Sequence, residues 1–229
     1  QQQHMRLFEK GTVFQLHGDT VEEAQCLTGI ITGKRLGEHW SDDQCVDYYD
    51  MKDDVIQMLG LLGHHHISCE ATTDEAFLHP SRSAALVIGD VKVGVLGQLS
   101  PSLEKHFGIK QPVYLFELNT TVLPTPGSIS VQALSKFPSV RRDLAIVIDK
   151  KISAADLCRA IKDSAGKWLV DMTIFDVYEG EKLGGEKKSV AIGLILQDLS
   201  RTLKDEEVTN VMDAIVKTMT NEFSAELRE

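Results

Sequence analysis

The last hundred residues contain alternating strand-like and helix-like runs of apolar side chains. Between positions 140 and 149 bulky apolar residues occupy every second position, as in a strand that buries one face; they are Leu144, Ile146 and Ile148. Ser153 and Asp156 then form a helix-capping signature, followed by Leu157, Ala160 and Ile161 at helical spacing. The pattern predicts a strand followed by a helix.

Two more strands and a second helix are predicted further along. Residues 170–178 and 189–196 have strand character, and the turn-rich segment 179–187 between them predicts a hairpin. Thr202 to Asp205 then form a predicted N-cap for a long helix with an apolar stripe: Val208, Val211, Met212, Ile215, Val216 and Met219. Residues 225–228 are predicted to form a short edge strand.

The order strand, helix, strand, strand, helix, strand is that of a ferredoxin-like βαββαβ domain, in which both helices cover one face of an antiparallel sheet. Alternation turns Val190, Ile192, Leu194 and Leu196 toward the helices, and predicts that Phe175 and Val177 also face inward. The other face then carries Asp176 and Tyr178 beside small residues: Ala145, Ser189, Ala191 and Gly193. This composition suits a base-stacking surface, although an aromatic residue in a strand can simply be a packing residue.

The first half of the chain has the pattern of a different α+β domain. Residues 27–32 and 113–118 are predicted strands, and 84–88 with 91–96 form a predicted hairpin that turns at Gly89 and Asp90. Helices are predicted from Val46 to Leu62, and from Pro101 to near Gly108 with Ser100 as cap. We therefore expect two domains, 1–127 and 128–229. The run Gln1 to Met5 lacks an obvious native start, so we expect a piece of a longer protein.

Charge and cysteine content narrow the function classes. The net charge of −10 divides into −8 for residues 1–127 (9 Lys and Arg, 17 Asp and Glu) and −2 for residues 128–229 (15 and 17). A nearly neutral second domain suits local, specific RNA contacts better than strong autonomous RNA affinity. The four cysteines are widely spaced, and no long apolar run is present. We expect a cytoplasmic protein with reduced thiols and no membrane contact.

The most suggestive metal-ligating residues are three consecutive histidines, His64, His65 and His66, with Cys69 and His79 nearby. Three successive side chains cannot point the same way in a strand, and the spacing is not that of an established zinc site. Gly63 instead predicts a surface loop. We expect no bound metal, and the role of the three histidines stays open.

Four segments of the second domain resemble one known family. Phe137 to Ala145, Phe175 to Gly180, Lys188 to Ala191 and Ser200 to Val208 are similar to the anticodon-binding domain of the bacterial phenylalanyl-tRNA synthetase β subunit. Upstream, six more segments resemble the catalytic-like domain of that subunit, in its later half: Arg6 to Gly11, His39 and Trp40, Val46 to Asp54, Leu78 to Ala84, Gly94 to Gly97 and Val113 to Leu118. The resemblance spans nearly the whole chain.

The resemblance implies a function for the open face. In that family the ferredoxin-like domain binds the tRNA(Phe) anticodon and reads the guanine at its first position. The family's base contacts fall on Ala145, Asp176, Tyr178 and Ser189 of this sequence, the residues that alternation placed on the open face. We take Arg141, Arg142, Lys187, Lys188 and Arg201 as candidates for phosphate contacts.

The resemblance also implies a larger enzyme. The first domain would be an inactive class II synthetase-type domain that contacts the α subunit of an α2β2 heterotetramer. The whole enzyme would attach phenylalanine to tRNA with ATP and Mg²⁺, whereas we expect this chain alone to be catalytically inactive and to hold no cofactor. The alternative is a regulatory or small-molecule-binding module, since ferredoxin-like folds host many ligands. Bulky replacements on the open face would abolish anticodon binding but spare a ligand site at a sheet edge.

Overall fold

The computed structural model describes residues 4–36, 40, 44–126, 135–180, 183 and 185–228, with the side chain of His17 excepted. The chain forms two compact units, residues 1–130 and 131–229. The boundary predicted from sequence, between 127 and 128, lies outside the described residues.

The described residues of the first unit form a six-stranded antiparallel sheet and two helices. Its strands are β1 (His4–His17), β2 (Thr20–Gly33), β3 (Ile67–Ala71), β4 (Leu78–Ile88), β5 (Val91–Leu99) and β6 (Val113–Asn119). They lie in the order β1-β2-β6-β5-β4-β3. The helices are α1 (Tyr48–Leu61) and α2 (Pro101–His106). The mainly antiparallel α+β architecture expected for this half is confirmed.

Helix α1 begins two residues later than the sequence pattern indicated. The Asp47 carboxylate accepts hydrogen bonds from the backbone N–H groups of Tyr49 (2.7 Å) and Asp50 (3.1 Å), and Asp50 accepts one from Asp47 N (2.8 Å). This reciprocal cap satisfies N–H groups that have no partner inside the helix. Val55 and Leu59 on the helix are fully buried against the sheet.

The hairpin of β1 and β2 has no counterpart in the sequence prediction, apart from the end of β2. The two 14-residue strands pair along their full length around the turn at Gly18, whose φ is +62°. Strand β1 lies at the sheet edge, and several of its apolar side chains are exposed, including Leu7, Phe8 and Phe14. A strand without a buried face shows no apolar alternation, so its sequence gives no strand signal.

The second unit has the predicted βαββαβ order. Its elements are β7 (Val140–Asp149), α3 (Ala154–Ala165), β8 (Leu169–Tyr178), β9 (Lys187–Leu196), α4 (Asp205–Phe223) and β10 (Glu226–Leu227), with a 3-10 turn at Gly166–Trp168. The antiparallel sheet has the order β10-β7-β9-β8. Its buried residues form one core with the two helices, in which Leu157, Ile161, Ile192 and Leu194 are fully covered. The ferredoxin-like fold is confirmed.

The start of α4 differs from the sequence prediction. Its N-cap is Lys204, and Thr202 lies outside the helix. The cap is completed by Glu207, which accepts a hydrogen bond from Lys204 N (2.9 Å) and pairs through both carboxylate oxygens with Arg201 (2.7 and 2.5 Å). The Thr-x-x-Asp pattern was therefore misread, because an acidic side chain at the third helical position performs the capping.

Candidate nucleic-acid interface

The face of the second sheet opposite α3 and α4, called here the open face, carries side chains in cross-strand rows. One row contains Ala145 of β7, Ala191 of β9 and Asp176 of β8, which are direct partners in the two strand pairings. Paired residues of antiparallel strands point to the same side of the sheet. Two methyl groups therefore lie beside one exposed carboxylate, which leaves room above the sheet at this row.

The neighbouring row contains Ser189 and Tyr178, again direct partners, with Val147 on the other side of Ser189. Ser189 is almost completely buried, whereas 41% of Tyr178 is exposed. The structure thus brings the four residues selected from sequence into two adjacent rows of three neighbouring strands.

A β-bulge in β8 changes the predicted orientation of Phe175. Ile174 pairs with Ile192 and Asp176 pairs with Ala191, so Phe175 is an extra residue on its strand. Its ring lies 5.7 Å from the guanidinium carbon of Arg141, and 52% of the residue is exposed. The prediction that Phe175 faces the helices was wrong, because the inserted residue interrupts the alternation.

Val177 keeps the predicted side but is not covered there. It pairs with the buried Val190 on the helix side of the sheet, yet 53% of it is exposed. Strand β8 lies at the edge of the sheet, and Val177 is not among the described residues that pack against the core. An apolar residue on the correct face is therefore left partly uncovered.

Arg228 is the main site residue that the sequence analysis missed. Its guanidinium carbon lies 5.2 Å from the centre of the Tyr178 ring, and its Nη1 donates a hydrogen bond to Ser189 Oγ (3.1 Å). Its backbone N–H donates to the carbonyl oxygen of Ala145 (2.9 Å). A single arginine beside the short strand β10 thus contacts three of the four predicted site residues, and the only signal in the sequence was the predicted edge strand.

The absence of a side chain at Gly180 leaves room for the Tyr178 ring at the end of β8. A Cβ built on Gly180 would overlap with Oη and Cζ of Tyr178. The phenol therefore rests against a backbone position that has no side chain. Any larger residue at 180 would push the ring away from its present place.

Gly193 has no side chain at the place where Arg141 crosses the sheet. A Cβ on Gly193 would lie 2.8 Å from Arg141 Nη2, because the arginine crosses β9 at this position to reach Phe175. Arg141 Nε also donates a hydrogen bond to Asp143 Oδ1 (2.9 Å). The open face therefore has two guanidinium–aromatic pairs, Arg141 with Phe175 and Arg228 with Tyr178, each worth about 0.5–1 kcal/mol at an exposed site.

The other basic candidates are placed differently. Lys187 lies on the open face and forms an exposed ion pair with Glu226 (2.7 Å). Lys188 points to the helix side, where its Nζ donates to the carbonyl oxygens of Lys150 (3.2 Å) and Ile152 (2.7 Å). Arg142 also belongs to the helix side by alternation, and donates to the carbonyl oxygen of Arg141.

Arg201 belongs to the start of α4. Its pairing with Glu207 raises the Arg201 pKa and lowers the pKa of Glu207 to about 2. Hydrogen bonds from Ser200 lower the pKa of the neighbouring Asp198 to about 2 as well. These groups form a local structural network, which occupies the guanidinium of Arg201.

The histidine run is only partly a surface loop. His64 is buried, with its backbone N–H bonded to the carbonyl oxygen of Leu59 (2.9 Å), whereas His65 and His66 are exposed. Burial raises the pKa of the nearby Cys69 thiol. Within the described residues, no group of three or more His, Cys, Asp or Glu side chains is arranged to hold a metal ion.

Two further observations concern the rest of the described chain. None of its helices is both long enough and apolar enough to cross a membrane.

The other observation is an apolar cavity of about 280 Å³ on the sheet of the first unit. Its lining includes Met5, Ile30, Leu99, Ile109, Val113 and Leu115.

Known families match both units. Residues 135–228 match the ferredoxin-fold anticodon binding domain, and residues 1–120 match the phenylalanyl tRNA synthetase beta chain CLM domain. The fold and the matched regions define a chain of the aminoacyl-tRNA synthetase class with an anticodon-binding domain. The chain belongs to the phenylalanyl-tRNA synthetase β chain family.

Individual relatives agree with this assignment. The phenylalanine–tRNA ligase β subunits of Methylococcus capsulatus and Hahella chejuensis are each 40% identical over 100% of this chain, which spans 29% of their length. Among solved structures, pyrrolysyl-tRNA synthetase from Desulfitobacterium hafniense is 15% identical with a TM-score of 0.37, covering 50% of this chain and 38% of that one. That structural similarity is too low to support an inference.

Proposed function

We propose that residues 135–228 bind the anticodon of tRNA(Phe) on the open face and read the guanine at its first position. The observation that carries this proposal is the row of Ala145, Ala191 and Asp176 beside Tyr178. It combines an exposed aromatic ring, an exposed carboxylate and a space lined by methyl groups. Single-stranded bases are recognised by stacking on aromatic rings together with hydrogen bonds to their edges.

Each of these residues has a physical role in the proposed complex. Tyr178 offers a π-face to the base, and Asp176 accepts hydrogen bonds from the N1–H and the exocyclic amino group of guanine. Adenine has neither donor on the corresponding edge, so the carboxylate discriminates between the two purines. Ala145 leaves room for the base, and Ser189 holds Arg228 in place beside the Tyr178 ring.

Three basic side chains of the open face could contact the RNA backbone. Arg141 and Arg228 both carry guanidinium groups there, and Lys187 is held only by an exposed ion pair worth about 0–1 kcal/mol. We assign phosphate contacts to these three residues. Arg142 points to the other side of the sheet, and Lys188 and Arg201 are engaged in structural hydrogen bonds, so the geometry does not favour a phosphate role for them.

The larger enzyme is also part of the proposal. We propose that the chain is part of a phenylalanine–tRNA ligase, as the names of the relatives support. We further propose that this enzyme attaches phenylalanine to tRNA with ATP and Mg²⁺ in the cytoplasm, and that the first unit contacts an α subunit within an α2β2 assembly. We propose that ATP and Mg²⁺ belong to the whole enzyme.

Replacement of Asp176 by Asn tests the proposed guanine contact. The change keeps the size of the side chain but replaces one acceptor oxygen by a donor NH₂ group, which opposes the donors of guanine. We expect the preference of the chain for a guanine-containing anticodon stem-loop over its adenine counterpart to fall by about tenfold, since a good bidentate contact is worth about 1–3 kcal/mol.

The control for this test is Asp143→Asn on the same face of the sheet. Asp143 lies in the row of Gly193 and pairs with Arg141. It should alter salt dependence at most and leave the guanine preference unchanged. A guanine preference that survives Asp176→Asn would remove the carboxylate from the recognition mechanism.

A further inference from the structure

We propose that Phe175, supported by Arg141, forms a second base-stacking position on the open face, for a nucleotide adjacent to the guanine held at Tyr178. This inference rests on the proposed function of the domain. It assigns the face two nucleobases instead of one, and gives a role to the bulge in β8.

The bulge is what makes Phe175 available. A regular strand would have turned this ring toward the helices, where Ile174 and Val177 already lie. The inserted residue instead leaves the ring on the open face with 52% of its surface exposed. Bulges commonly re-aim a side chain next to a functional site. The bulge therefore places the Phe175 ring on the face that is proposed to bind RNA, and not in the core.

Arg141 lies beside the Phe175 ring as Arg228 lies beside the Tyr178 ring, and Gly193 leaves the space that Arg141 crosses. The guanidinium of Arg141 passes over Gly193, where a methyl group would approach within 2.8 Å, and rests 5.7 Å from the Phe175 ring centre. The arginine lies beside the ring, and its Nε pairs with Asp143 Oδ1 (2.9 Å). Aromatic and guanidinium planes both stack on bases.

The spacing along β8 fits two bases of one strand. Phe175 and Tyr178 are three residues apart, which corresponds to about 10 Å of extended strand and somewhat less through a bulge. Adjacent nucleotides with splayed bases can span this distance. Asp176 lies between the two rings in sequence and pairs with Ala191, so no bulky side chain of β9 stands opposite it.

The test is a double-mutant cycle between Phe175→Leu and a missing base. The whole chain is titrated with an anticodon stem-loop and with two copies that carry an abasic residue on the 5′ or the 3′ side of the guanine. Leucine keeps apolar volume but has no π-face. Val177→Ala is the matched control, because Val177 is equally exposed on the same strand but points to the helix side. A Tyr178→Leu variant monitors the primary position.

We expect Phe175→Leu to weaken binding of the intact stem-loop by about tenfold, since stacking of one base is worth about 1–3 kcal/mol. One of the two abasic stem-loops should show no further loss with this variant. Gly193→Ala should give a smaller loss, because it displaces Arg141 and leaves both residues present.

Equal losses on the intact stem-loop and on both abasic ones would make Phe175 a packing residue and overturn the inference. Unchanged affinity in Phe175→Leu together with a loss of affinity in Tyr178→Leu would also overturn the inference, while leaving the proposed function intact. Failure of both variants to affect binding would refute the proposed function itself.

Discussion

Replacement of Gly180 by Ala should displace the Tyr178 ring without changing the stability of the domain. The added methyl group would lie 2.7 Å from Cε1 of the Tyr178 ring and closer still to its Cζ and to the hydroxyl oxygen, closer than real Cβ contacts allow. The ring is at the end of a partly exposed side chain, so it can swing aside. Its contact with Arg228 would then be lost.

The expected effect on the free energy of unfolding is smaller than the expected effect on anticodon affinity. Gly180 does not have a positive φ, so alanine is compatible with its backbone, and such a change gains about 0.4–1 kcal/mol from a less flexible unfolded chain. Loss of the Arg228 stack costs about 0.5–1 kcal/mol. We expect the two terms to cancel within about 0.5 kcal/mol. Anticodon affinity should nevertheless fall by about 1–3 kcal/mol if a base needs the ring in its present place.

The assay compares stem-loop binding and urea unfolding for the unaltered chain and for Gly180→Ala. Gly185→Ala is the control in the same hairpin, because a Cβ there would meet no atom within 4 Å. Affinity should fall only for Gly180→Ala. Equal losses in both variants would point to hairpin flexibility, and unchanged affinity in Gly180→Ala would refute the argument that Tyr178 must be held in this position.

Two further predictions concern stability. Arg228→Ala removes both the stack on Tyr178 and the hydrogen bond to Ser189, so hydrogen exchange of the β9 amides should show a loss of about 1–2 kcal/mol; no change would mean that Arg228 is not ordered there. Because the folded-state pKa of Glu207 is lowered to about 2, its stabilisation is complete above the unfolded pKa of about 4.3 and is lost as pH falls toward 2. The unfolding midpoint of Glu207→Gln should therefore be lower at pH 7 and vary less between pH 4.5 and 2, and equal pH dependence in both proteins would contradict this pairing.

The alternation of apolar residues was sufficient to predict the core of the second unit. Leu144, Ile146 and Ile148 are buried on one side of β7, and Ile192 and Leu194 on the same side of β9, as their spacing indicated. Such a pattern reflects burial directly, because every second strand residue faces the helices. The open face followed as its complement.

The details that alternation missed are those that a periodic pattern does not encode. A single inserted residue in β8 turned Phe175 outward without altering the composition of the strand. Arg228 reaches Ser189 across 39 residues of sequence, and this contact depends on the pairing of β10 with β7. Lys188 and Arg201 are candidates for phosphate contacts in the sequence, whereas in the structure their side chains donate hydrogen bonds to carbonyl and carboxylate oxygens.

The central claim is that the open face reads the first anticodon base, and the most direct measurement is a titration of the chain with two stem-loops. One carries guanine at the first anticodon position, and the other carries a different base there, each at low and at physiological salt. The account predicts a preference for guanine that persists at both salt concentrations, because hydrogen bonds and stacking depend less on ionic strength than phosphate contacts do. Weak, equal and salt-sensitive binding of both stem-loops would contradict it.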